Sequence, residues 1–187
     1  METLIELALT FWMFTVAAVL ILIGAVINLF DRRPVEVRFS APSMPVLEPL
    51  PIATKGKGFW GAIIMWLLGT RKWKVARNWN YTLDGKKMVI PAGFEFDGAS
   101  VPKFLASFLS PVGVLLIGGL VHDYGYKYAT LMTRDKKDVG PLTQKDLDEI
   151  FRDINIQVNG FYFLNYLAYW SLRVAGFVAW NGHRKND

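Results

Sequence analysis

The chain predicts an α+β fold, a small β-hairpin or sheet packed with three or four helices, carried behind an N-terminal transmembrane helix. Three observations predict it. Leu7 to Phe30 run for 24 residues without a formal charge. Asp84-Gly85, a tight-turn dipeptide, separates two β-prone runs, and Leu147, Ile150, Phe151, Ile154 and Val158 recur at helical spacing behind Thr143 and Asp146. The 187 residues have room for one ordinary domain plus an appendage, which excludes a large multidomain enzyme. Hydrophobic residues make up 52% and aromatic residues 14%, too apolar for disorder. With no cysteine, disulfides, thiolate zinc sites and cysteine nucleophiles are excluded. A net charge of +5 fits an anionic partner, nucleic acid or lipid headgroups.

Residues 1–30 form the anchor. As a helix the uncharged run extends roughly 36 Å, enough for a hydrocarbon core of ~30 Å. Glu2 and Glu6 stand where a signal peptide carries basic residues, and no small-residue cleavage site precedes Asp31, so the helix is expected to be retained. Arg32, Arg33 and Arg38 follow it, which directs the C-terminal portion to the cytoplasm by the positive-inside rule.

Residues 31–54 are expected to be an extended spacer, because Pro34, Pro42, Pro45, Pro49 and Pro51 interrupt any helix. Residues 55–187 form the α+β body. Between Pro49 and Leu83 there is no acidic residue, while Lys55, Lys57, Arg71, Lys72, Lys74 and Arg77 alternate with Trp60, Trp66, Trp73 and Trp79. Three readings fit this stretch: the basic rim of a domain with Trp in its core, an anionic membrane surface, and single-stranded nucleic acid. On the membrane reading, Arg71, Lys72, Trp73 and Lys74 are the surface residues. Gly61 to Gly69 is too short to span and reads as a buried or interfacial helix.

Lys72 to Thr82 and Lys87 to Phe96 are expected to pair as a hairpin through Asp84-Gly85. Ser100 caps a helix over Val101 to Leu109, and Ser110-Pro111 opens one that runs to about Tyr128. Arg134 to Gly140 is a charged loop. Thr143 to Val158 is an amphipathic helix closed by Asn159-Gly160. Phe161 to Trp180 reads either as a core or interfacial helix or as a second span; against a span stands Arg173, which costs several kcal/mol in a bilayer unless paired.

Chemistry is concentrated in two places. Asp97, Gly98, Ser100 and Pro102 form a strand-to-helix junction with a carboxylate, a hydroxyl and a glycine. His122 and Tyr126 share one face of a helix, while Asp123 projects about 100° away. His122 is one of two histidines, and His183 falls in the polar tail. A histidine with a second carboxylate is a recurring device for fixing a tautomer and activating water. The same residues also make a satisfied core network, with His122 bridging to Asp148. The junction is expected to face the His122-Asp123 helix, with Asp148 completing the cluster.

Ile90 to Phe94, Asp97 to Pro102, His122 to Tyr126, and Asp148 with Phe151 together resemble the domain of unknown function 1353 family of small phage and bacterial proteins, over about Trp73 to Trp180. The resemblance implies a phage or prophage origin, hence a host inner membrane, and brings no activity. His122-Asp123 with Tyr126 is similar, more loosely, to the His-Asp helix of secreted phospholipases A2. That likeness implies His122 as base, Asp148 as its orienting partner and Asp123 as a calcium ligand; Gly125 stands where those enzymes have Cys, and Asp97 would have to help complete the calcium site.

The expected function is therefore a membrane-anchored binding or interaction module at the host envelope. Its partners are the bilayer, anionic headgroups or an envelope protein. The alternative is a metal-assisted hydrolase resembling phospholipase A2, with His122, Asp148 and Tyr126 catalytic, Asp123 and Asp97 on the metal, calcium being the candidate ion, and Gly98, Ser100 and Pro102 as a structural or binding loop.

Overall fold

A computed structural model describes residues 38–52, 54–68, 72–97, 113 and 115–184, with isolated helical positions between 12 and 26. In chain order its elements are β1 (Phe39–Ser40), β2 (Leu47–Leu50), α1 (Gly58–Leu68), β3 (Lys72–Val75), β4 (Trp79–Leu83), β5 (Lys86–Ile90), β6 (Glu95–Phe96), α2 (Leu116–Tyr128), α3 (Gln144–Asn159) and α4 (Tyr162–Arg184).

Strand β4 places Trp79, Tyr81 and Leu83 on its buried face by simple alternation. It pairs antiparallel with β5 across Asp84-Gly85, both with positive φ (49° and 76°), the geometry of a type I′ turn. The expected hairpin is thus present, but its first strand is divided. Lys72–Val75 leaves the hairpin at Ala76 to Asn78 and becomes the centre of a second sheet, in the order β2-β3-β6, while β1-β4-β5 form the first.

The proline-rich segment is extended, and it is docked on the body. Leu47 pairs with Val75 and Pro49 with Trp73, and β1 edges the hairpin sheet. A proline has no N–H to give to a ladder, and an edge strand can do without one. The Trp79 indole donates to the Ser43 carbonyl at 2.8 Å, and Phe39 packs on Trp79 and Tyr81.

Helix α3 carries the expected capping box: Thr143 accepts from the Asp146 amide and Asp146 accepts from the Thr143 amide. Gly160, in the left-handed conformation at φ 68°, ends it. The helices pack in sequence, α2 on α3 and α3 on α4, with α2 also touching α4 and β6. Val75, Trp79, Tyr81, Met88, Ile90 and Phe96 from the sheets meet Leu120, Val121 and Tyr124 of α2 and Leu147 and Ile154 of α3 in the main core. Leu115, Phe151, Ala168 and Leu172 make a smaller one between α3 and α4.

The anchor expected over residues 7–30 lies outside the described residues, apart from the isolated positions, and so does the helix expected over 101–109. Among the described residues no helix is long and apolar enough to cross a membrane. Helix α4, which covers all but the first residue of the expected Phe161 to Trp180 run, carries buried polar residues. Asn165 is fully buried and bonds Asn159 and the Phe161 carbonyl, and Arg173 is paired with Asp148. The inner face of α4 is that of a packed helix, and only its outer face, with Trp170, Val174, Phe177 and Val178, is apolar and exposed.

Candidate functional site

Asp148, on the buried face of α3, is the hub. Its Oδ1 takes the His122 Nε2 at 2.8 Å and the Tyr126 hydroxyl at 2.6 Å, and its Oδ2 takes the Arg173 Nη1 at 2.8 Å. His122 and Tyr126 reach it together because they stand four residues apart on α2, with ring centroids 3.9 Å apart. His122 is 1% exposed and Asp148 is 0% exposed. Phe151, one turn beyond Asp148, stands edge-on to the imidazole at 5.4 Å.

Helix α2 is held close to its neighbours by small residues. A side chain at Gly118 would meet Asn155 at 2.3 Å, and one at Gly125 would meet Leu147 at 2.2 Å. On α4, one at Gly176 would strike the Tyr126 hydroxyl at 2.7 Å, so this glycine lets α4 bring Arg173 onto Asp148 without displacing Tyr126.

The other imidazole nitrogen points a different way. His122 Nδ1 is buried with no hydrogen-bond partner, and its nearest charged neighbour is Asp123 Oδ1 at 3.7 Å, beyond hydrogen-bond reach. Asp123 also has one oxygen, Oδ2, with no partner. It stands on the wall of a cleft of about 290 Å³, together with Asp97, Tyr126, Lys72, Lys127 and His183.

Electrostatics follow from this placement. Burial pushes the Asp123 carboxyl up to about 6, against the pull of His122, and the charge of Asp97 adds to the rise. Burial likewise raises Asp97, while Lys72 and His183 draw it back. For His122, burial by itself favours the neutral ring, but the negative charges of Asp123 and Asp148 and the bond to Asp148 outweigh it and the net direction is upward. Burial and the Asp148 carboxylate together hold the Tyr126 hydroxyl firmly protonated.

The structure brings together five of the residues singled out in the sequence. His122, Tyr126 and Asp148 form one bonded cluster, and Asp123 and Asp97 share the adjoining cleft. Gly98, Ser100, Pro102 and Arg71 lie outside the described residues. The expected membrane-surface group is divided: Lys72 is exposed on the cleft wall, Trp73 is half-buried against the core, and Lys74 is paired with Glu48 at 2.8 Å. Strand alternation is the cause, since Trp73 points to the same side as Val75.

Calcium takes about six to eight oxygen ligands. Asp97 and Asp123 contribute carboxylates, but among the described residues no group of three His, Cys, Asp or Glu side chains is placed to hold a metal. These residues by themselves do not complete a calcium shell.

Sequence reasoning missed Arg173 and His183 as members of the site. Arg173 had a usable signal, for a lone cation in an apolar helix demands a buried partner. His183 had none, because it lies far along α4 and reaches the cleft only through helix packing.

A family model described as a protein of unknown function, DUF1353, matches residues 73–171. This chain belongs to the DUF1353 family. The matched segment runs from β3 to the middle of α4, so the hairpin, the His122–Asp148 pair and Asp97 and Asp123 all fall within the DUF1353 region, while Arg173, Gly176 and His183 lie just beyond it. No curated protein and no solved structure matches the chain.

Proposed function

We propose that the protein is a hydrolase in which His122 is the general base. One observation carries the reading: Asp148 occupies Nε2 of a buried imidazole and leaves Nδ1 without a partner, 3.7 Å from Asp123, which itself lines a cleft. A buried nitrogen left unpaired calls for an explanation, and a base waiting for water is one.

In this reading Asp148 accepts the hydrogen bond from Nε2–H and fixes the tautomer that keeps the Nδ1 lone pair free. Tyr126 and Arg173 hold Asp148 in place. Nδ1 takes a proton from a water molecule, the hydroxide adds to the carbonyl of an ester in the cleft, and the imidazolium returns the proton to the departing alkoxide. Asp123, opposite Nδ1, favours the imidazolium formed in between.

The test is turnover of 4-nitrophenyl butyrate and of phosphatidylglycerol vesicles by the full chain in mild detergent, for the wild type, His122→Ala and Tyr126→Phe. His122→Ala is expected to lose 10²- to 10⁴-fold in kcat/KM, the range of general-base catalysis. Because the His122 pKa is raised, the wild-type rate should climb with pH and reach half its plateau above about 6.5. Equal rates in wild type and His122→Ala would refute the proposal.

A second reading keeps the sequence expectation of a membrane-anchored binding module. It is favoured by the closure of the Asp148 network, which has no exposed member except the edge of Arg173. An inactive wild type whose His122→Ala variant only melts lower would support it.

A further inference from the structure

Helix α1 has the composition of a core element and the surroundings of a surface one. Gly58–Leu68 reads Gly-Phe-Trp-Gly-Ala-Ile-Ile-Met-Trp-Leu-Leu, without a charge. Yet Phe59 is 71% exposed, Trp60 73% and Ile64 55%. Among the described residues no other helix or strand packs extensively along it, although Ala62, Ile63 and Met65 are half-buried. Phe59 and Trp60 stand edge to face at 5.3 Å and present one aromatic knob outward.

Monomeric proteins rarely leave such a surface in water. At 1.5 Å per residue α1 is roughly 16 Å long, about half of a hydrocarbon core, so it can enter a bilayer only by lying in its surface. What flanks it identifies the bilayer. No Asp or Glu occurs between Pro49 and Leu83, and Lys55 and Lys57 precede α1 while Lys72 follows it, all three exposed. The nearest acidic residue in sequence, Glu48, is already paired with Lys74. An apolar, Trp-bearing helix inside a basic collar is complementary to anionic headgroups above an acyl layer.

We infer that α1 is an interfacial docking element that seats the domain on an anionic lipid surface, with Phe59 and Trp60 at the headgroup boundary and Lys55, Lys57 and Lys72 on the lipid phosphates. This holds whether or not His122 is catalytic. It concerns a segment of the sequence other than the apolar run at Leu7 to Phe30, and labelling at position 60 reads α1 alone.

The absence of cysteine makes that possible in the full chain. Trp60→Cys is labelled with an environment-sensitive fluorophore and reconstituted into phosphatidylcholine vesicles with and without phosphatidylglycerol. Lys145→Cys, on the solvent face of α3, is the control, its side chain 64% exposed. The label at 60 should shift to the blue and be quenched by lipids spin-labelled near the headgroup only when phosphatidylglycerol is present. Lys55→Glu with Lys57→Glu should abolish both effects, and the label at 145 should stay aqueous.

A label at 60 as wet as that at 145 in the anionic vesicles overturns the inference. So does shielding of equal strength in both lipid compositions, or disulfide cross-linking of unlabelled Trp60→Cys between copies, which would mean that another part of the chain or a second molecule covers α1.

Discussion

Replacing Asp148 by Asn tests the hub of the site most directly. The amide keeps the shape of the carboxylate and its oxygen can still accept from His122 and Tyr126, which share Oδ1 at 2.8 and 2.6 Å, but it carries no charge, and its nitrogen cannot accept from Arg173 at 2.8 Å. Arg173 is half-buried and can turn its guanidinium toward water, so its lost bond contributes little. His122 and Tyr126 are buried and are left with a neutral acceptor in place of a charged one. Hydrogen bonds to a charged group are worth about 1.5–3 kcal/mol each and neutral ones about 0.5–1.5 kcal/mol. The two weakened bonds together give about 2 kcal/mol for Asp148→Asn. At about 2–4 °C per kcal/mol for a chain of this size, Tm should fall by about 4–8 °C when followed by far-UV circular dichroism in detergent at neutral pH.

The pH dependence carries its own sign. His122 has a raised pKa, so its pairing stabilises the fold fully below about 6.5 and ceases to do so as pH rises through the folded value. The gap between wild type and Asp148→Asn should therefore narrow in alkaline solution. A fall in Tm smaller than about 3 °C would refute the reasoning, because it would mean that Asp148 is not the shared acceptor of buried donors.

Two further predictions come from neighbouring contacts. Gly118→Ala should destabilise by about 2 kcal/mol although alanine is the better helix former, because its methyl group would collide with buried Asn155 and break the 3.1 Å bond from the Gly118 amide; a variant of unchanged or higher Tm would disprove this. Asp123 is raised from 3.8 to about 6 in the folded state, so wild-type stability should decline as pH climbs from about 4 to about 6, by at most ~3 kcal/mol. Asp123→Asn should flatten that slope in denaturant titrations, and parallel curves for the two proteins would show that Asp123 is not buried as described.

The local features of the fold were legible because short-range chemistry decides them. Thr143 and Asp146 form their capping box from three residues of spacing, Asp84-Gly85 takes the positive φ angles that its turn needs, and Gly160 stops α3. The pairing of His122 with Asp148 was also within reach, since His122 and Tyr126 share a face and Asp148 lies on the inner face of the next helix. What was not legible involved a choice between partners far apart in sequence. The run from Lys72 to Thr82 looked like one strand, and no local signal marks where β3 leaves the hairpin for β2 and β6. Edge pairing of the proline-rich segment has no local signature, because proline is compatible with an extended spacer and an edge strand alike.

The sequence by itself determined which side chains exist for chemistry and how they face within each element: no cysteine, one histidine on the inner face of an apolar helix, and carboxylates at Asp97, Asp123 and Asp148. Tertiary structure decided the rest. It made Arg173 the counter-ion of a buried carboxylate where the sequence left a span open, and gave the amide of Gly118, in the first turn of α2, its partner from Asn155 of α3 where α2 lacks a side-chain cap of its own. Among the described residues it also left Phe59, Trp60 and Ile64 of α1 exposed. The physical reason is the same in each case. Periodicity and capping are written in neighbours three or four residues apart, whereas a buried charge, an orphan amide or an apolar face finds its partner only after the chain has closed loops of tens of residues.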